Sequence, residues 1–101
     1  MMTDDEINRR VAEIEGWVKD GNGWTLPRDR HIAYVPSYAT DWEWCGPLVE
    51  KYRIWLESRS NWWCALNYGD GWYTADTPQR AICLAVIAAN PRADDGPSGP
   101  A

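Results

Sequence analysis

The sequence has no phenylalanine, a single histidine (His31) and no apolar run near the roughly 20 residues a membrane-spanning helix needs. No secretory leader pattern opens it. Its three cysteines, Cys45, Cys64 and Cys83, include no CxxC pair. With one histidine beside them they match no zinc pattern, and an odd number suits no closed disulfide framework. Neither a GxGxxG fingerprint nor a Walker loop is present. Cations are also short: 10 Lys and Arg face 15 Asp and Glu, for a net charge of −5. Such a balance argues against wrapping a nucleic-acid backbone. These absences lead to the expectation of a cytoplasmic protein with reduced thiols, no metal, no cofactor and no membrane or direct nucleic-acid contact.

Tryptophan is what the chain has in place of phenylalanine. Eight Trp and five Tyr lie within 101 residues, and 45% of the residues are hydrophobic. That is enough apolar surface for one folded core and excludes a disordered chain. Trp and Tyr each bury a bulky ring and keep one polar handle, and they are enriched at binding hot spots. Each therefore serves either a core or a recognition surface.

Punctuation along the chain divides it into short elements. The run TDDE, Thr3 to Glu6, is a capping box, followed by Ile7, Val11 and Ile14 at helical spacing, which predicts a helix over about 4–15. Its acidic residues, Glu13 and Glu15 included, suit a solvated face. DGNG between Val18 and Trp24 reads as a hairpin turn, with a third short strand around Ile32 and Tyr34. GPLVEKY predicts a short helix capped by Asp41 or Gly46, with Pro47 at its first position. RIWLES, WWCALN and WYTA alternate as an antiparallel meander in which Ile54 and Leu56 face one way and Trp55 and Glu57 the other. Thr77 and Pro78 start a last helix whose apolar stripe is Ala81, Ile82, Ala85, Val86 and Ala89. The order α-β-β-α-β-β-β-α predicts an α+β domain over 1–90, mostly antiparallel with helices in an α-β-α sandwich, and a flexible tail over 91–101.

The order of these motifs resembles that of the NinX-like phage proteins and the related phage ABA-sandwich domain. The resemblance rests on Thr40, Asp41, Trp42, Gly46, Pro47, Leu48, Val49 and Glu50, then on Thr77, Pro78, Ala81 and Ile82. It covers roughly residues 3–90. It implies a phage or prophage origin and an α-β-α sandwich, without implying a known activity. In that family the last helix often carries an Arg or similar polar residue two positions after the Ala-Ile-Cys-like segment, a region that here reads CLAV.

Among functional readings, binding is favoured over catalysis. His31 reads as a surface strand residue, and Cys64 and Cys83 sit among apolar neighbours as buried structural thiols. Cys45, beside the Gly-Pro helix start, is the one cysteine whose reactivity is worth testing. Two helix starts, at Pro47 and Pro78, offer free N–H groups to an anion, with Thr40, Thr77 and Arg80 beside them; plain capping explains the same residues. Trp42, Trp44 and Trp55 fit either core plugs or the floor of a pocket. The expected function is a non-catalytic phage accessory protein. Its ligand would be small, anionic and aromatic, such as a nucleotide-type host defence signal that the protein sequesters. The alternative is a protein–protein module acting on a host or phage protein or forming a homo-oligomer. On the first reading Thr40, Asp41, Trp42, Trp44, Gly46, Pro47, Trp55, Thr77 and Arg80 form the site.

Overall fold

A computed structural model describes residues 2–21, 23–26, 30–59, 62–67 and 72–90. The expected tail, together with Pro27 and Pro91, lies outside the described residues. Among the described residues, three helices and two antiparallel three-stranded sheets follow one another in the order α-β-β-β-α-β-β-β-α, the α+β class expected.

Helix α1, Asp4–Ile14, begins with the capping box. The Glu6 N–H donates to Thr3 Oγ1 at 3.2 Å and the Thr3 N–H to Glu6 Oε1 at 2.9 Å. Ile7, Val11 and Ala12 are fully buried. The helix ends in a Schellman motif: the Gly16 N–H reaches the Glu13 carbonyl and the Trp17 N–H the Ala12 carbonyl. Gly16 holds φ at +99°, a conformation other residues adopt at a cost.

Strands β1, Val18–Asp20, β2, Gly23–Leu26, and β3, Arg30–Ile32, form a small sheet in sequence order. Gly23 lies so close to β3 that a Cβ there would sit 2.6 Å from the Ile32 carbonyl oxygen. Trp17 and Trp24 are buried against the main core. His31 is exposed, as expected, with Nδ1 2.9 Å from Thr25 Oγ1.

Helix α2 departs from expectation. It spans Trp42–Lys51, so it starts well before Gly46 and Pro47. Asp41 is the cap. Its carboxylate accepts the Glu43 N–H at 2.9 Å, and its carbonyl accepts the N–H groups of Trp44 and Cys45. Pro47 is therefore the sixth helical residue, where its missing N–H leaves the Glu43 carbonyl without its helical donor. The Asp41 cap, whose own N–H donates to the Ser37 carbonyl at 2.9 Å, and the burial of Cys45 and Leu48 in the core both act against that loss. The helix closes at Tyr52 and hands on to Arg53, whose φ of +53° is the one positive value among described non-glycine residues.

The meander is β4, Ile54–Arg59, β5, Trp62–Asn67, and β6, Trp72–Ala75. Its register aligns Leu56 with Ala65 and Tyr73, and Trp55 with Leu66 and Trp72. Ile54, Leu56, Tyr73 and Ala75 pack into the core, while Trp55, Glu57, Trp72 and Thr74 are exposed on the other face.

Helix α3, Pro78–Ala89, is the element the others share. It touches α1, α2 and all three strands of the meander. Thr77 caps it by accepting the Arg80 N–H at 3.2 Å. Ala81, Ile82, Cys83, Ala85 and Val86 are fully buried, because small side chains let α1 and α2 close on one side and the sheet on the other. The stripe stops one turn short of expectation, since Ala89 is exposed.

Candidate functional site

A groove of about 470 Å³ opens beside the end of α1 and the outer side of α2. Three aromatic side chains from separate parts of the chain form its wall: Trp17 after α1, Tyr38 in the loop before α2, and Trp44 on the first turn of α2. Their rings meet edge to face, with Trp44 6.1 Å from Trp17 and 5.7 Å from Tyr38 between centroids. The Trp17 indole N–H donates to the Tyr38 hydroxyl at 3.1 Å. Asn8 of α1 fixes the Tyr38 loop by accepting the Ala39 N–H at 2.7 Å. Trp17 and Tyr38 are almost fully buried, so Trp44, half-buried, is the ring that most opens to the groove.

Charge in the groove is mixed and partly neutralised. Glu15 caps α1 at its C-terminus and has only 15% of its side chain exposed, in place of the solvated position expected for it. Lys51 Nζ lies 3.0 and 3.1 Å from its two carboxylate oxygens, and the Tyr52 hydroxyl donates to it at 2.5 Å. Burial, and then that hydrogen bond to Glu15, pushes the Tyr52 phenol well above its ordinary pKa. Glu43 also lines the groove, exposed and one residue from Trp44. Lys51 is the one cation among the described lining residues, and Glu15 already holds it.

The residues expected to form a site do not converge. Trp44 and Pro47 line the groove. Trp42 lies on the first turn of α2, 48% exposed, and is not part of that lining. Trp55 is 70% exposed on the uncovered face of the meander. The helix start expected at Pro47 does not exist, and the true start carries acidic Asp41 and Glu43, which disfavour an anion. Gly46 is half-buried with nothing within 4 Å of a Cβ built on it. Thr40 is exposed, and its carbonyl accepts a hydrogen bond from Gln79 at 3.5 Å. Thr77 is used as a cap. Arg80 is held by Asp4, by Asp76 at 3.5 Å and by the Met2 carbonyl at 3.1 Å, so its charge ties α3 to the start of α1.

Cys45 does not line the groove. It is fully buried on α2, with its thiol 3.7 Å from the Gln79 carbonyl. A hydrogen bond between the two thiols holds the Cys45 thiol below its ordinary pKa and, together with burial, pushes the Cys83 thiol up. Among the described residues no three His, Cys, Asp or Glu side chains cluster to hold a metal, and no helix is long and apolar enough to cross a membrane.

The family model of the bacteriophage P22 protein NinX matches residues 1–90. The chain belongs to the NinX family. A phage protein from Bacillus cereus, solved by crystallography, has the same fold, with a TM-score of 0.67 at 21% identity over 88% of this chain and 93% of that one. No curated protein matches the chain. Trp42 belongs to the Thr-Asp-Trp unit through which the sequence resembles this family, and that unit is the cap and first helical residue of α2. Sequence reasoning missed Trp17, Tyr38 and Lys51 as parts of one site, because the contacts that tie Trp17 to Tyr38 and Lys51 to Glu15 span 21 and 36 residues. The local sign was Gly16: a helix-ending glycine directly before a tryptophan projects that ring back over the helix it leaves.

Proposed function

We propose that this small phage protein is a non-catalytic accessory binding protein that takes a host-derived small molecule into the groove at Trp44. The observation that carries the reading is the groove itself: ligand-sized, walled by three interlocked aromatic rings, and edged by a few charged groups at fixed positions. Edge-to-face packing holds Trp44 in place without covering it, so a flat or aliphatic body stacks there at little ordering cost. Sequestration of a host signal is the role such a protein plays when binding is its whole activity. The groups expected to hold a phosphate, Arg80 and the helix starts, are engaged within the fold, so the groove favours ligands recognised through their ring rather than through an anion. Calorimetric titration with cyclic and linear nucleotides and with uncharged planar aromatics, on wild type and on Trp44→Ala, tests this. Heat that disappears in Trp44→Ala is the expected result; no heat with any of them ends the reading.

A second reading uses the exposed face of the meander. Trp55 and Trp72 occupy one row of the meander register and are 70% and 44% exposed. That pair suits the closure of a homodimer, sheet face on sheet face. Light scattering on wild type and Trp55→Ala checks it: a dimer that Trp55→Ala dissociates supports the module, and a monomer at every concentration removes it.

A further inference from the structure

We infer that the ligand of the Trp44 groove is an organic cation, an amine or quaternary ammonium carried on an aromatic or aliphatic body. This rests on the reading of the groove as a ligand seat and specifies what the seat selects. Two carboxylates, Glu15 and Glu43, line the groove against one cation, Lys51. Lys51 is already bound to both oxygens of Glu15, so those two charges cancel locally and Glu43 sets the sign. Glu43 is exposed at a helix start whose cap, Asp41, is a second carboxylate. An incoming positive centre meets Glu43 and the half-buried ring of Trp44, neighbours on α2 that line the same groove. The faces of Trp and Tyr rings carry negative potential and attract a cation, most strongly where water is partly excluded. The chain's net charge of −5 draws cations toward it and repels nucleotide-type anions. An anion placed beside Trp44 gains neither term and faces Glu43 directly.

The test uses three probes of one shape and different charge: phenethylammonium, 2-phenylethanol and 3-phenylpropanoate. Binding is followed by calorimetry and by the indole N–H resonance of Trp44. The expected order is cation, then neutral, then anion, with the cation about tenfold tighter than the anion. Glu43→Gln is expected to weaken the cation roughly three- to fivefold and leave the neutral probe unchanged. This exposed position is not part of the core, so the variant folds and the comparison stands. If the neutral or anionic probe binds Trp44 as tightly as the cation, the cation assignment is overturned while the groove remains the seat. If none of the three moves the Trp44 resonance, the seat falls with it. If the cation binds and Glu43→Gln changes nothing, the assignment of charge selection to Glu43 is overturned.

Discussion

Trp44 and Trp55 stand eleven positions apart on consecutive elements, yet they meet opposite surroundings. Trp44 enters the first turn of α2 and is locked by Trp17 and Tyr38 into the wall of a groove. Trp55 projects from the second residue of β4 onto a sheet face that no described element covers, 70% exposed. Composition treats the two alike. What separates them is the period of the element each sits on and which side of it reaches α3. On the helix side, aromatic rings serve packing and form a cavity in the same act; on the sheet face, Trp55 and Trp72 are exposed.

The strongest way to break this comparison is to remove one ring from each side. Trp17→Ala is expected to cost about 3–5 kcal/mol, through the lost ring, the cavity left behind and a Tyr38 hydroxyl without its donor. Trp55→Ala is expected to stay within about 0.5 kcal/mol of wild type. Urea denaturation reads both, and a Trp55→Ala loss comparable to that of Trp17→Ala would erase the distinction.

A smaller effect belongs to the network at the edge of the groove. Tyr52→Phe removes the hydrogen bond to Glu15 and is expected to cost about 1–1.5 kcal/mol. The phenol's folded-state pKa is raised above its ordinary value of 10.0. Its contribution is therefore full below that value and is lost as pH rises past it toward the raised one. The gap in stability between wild type and Tyr52→Phe is expected to hold steady from about pH 6 to about pH 9 and to shrink above about pH 10. A gap that widens at alkaline pH would contradict the assigned network.

Helix α2 joins the two regions, and both of its unusual residues can be released. Pro47→Ala restores the N–H that the Glu43 carbonyl lacks and is expected to stabilise the fold by about 1 kcal/mol. Were Pro47 the first residue of the helix, the same change would bring no gain. Arg53→Gly relieves the positive φ after the helix and is expected to add about 0.5–1 kcal/mol. Smallest in energy is the thiol test. Native Cys45 is expected to resist alkylation by iodoacetamide, with rapid labelling only after denaturation, because its sulfur is fully buried.

Much of the fold was legible because its signals are local. The Thr3–Glu6 box, the Thr77–Pro78 start and the alternation of Ile54, Trp55, Leu56 and Glu57 each lie within a few residues and act through the backbone they sit on. Helix α2 was legible only in part. Gly46-Pro47 carries the commoner start signal, but Asp41, anchored by the Ser37 carbonyl, begins the helix five residues earlier. The groove was not legible. Tyr38, Trp44 and Lys51 lie within fourteen residues of one another, but Trp17 and Glu15 reach them only through contacts 21 to 36 residues apart, which no spacing in the chain encodes. For the same reason Arg80, free to hold an anion as far as sequence shows, closes on Asp4 seventy-six residues away.

The division between a binding side and an open sheet side is tested most directly by one experiment. Wild type, Trp44→Ala and Trp55→Ala are titrated in parallel with phenethylammonium by calorimetry. The account predicts equal heats and affinities for wild type and Trp55→Ala, and loss of binding in Trp44→Ala. Binding that survives in Trp44→Ala and is lost in Trp55→Ala would place the ligand on the sheet face and contradict it.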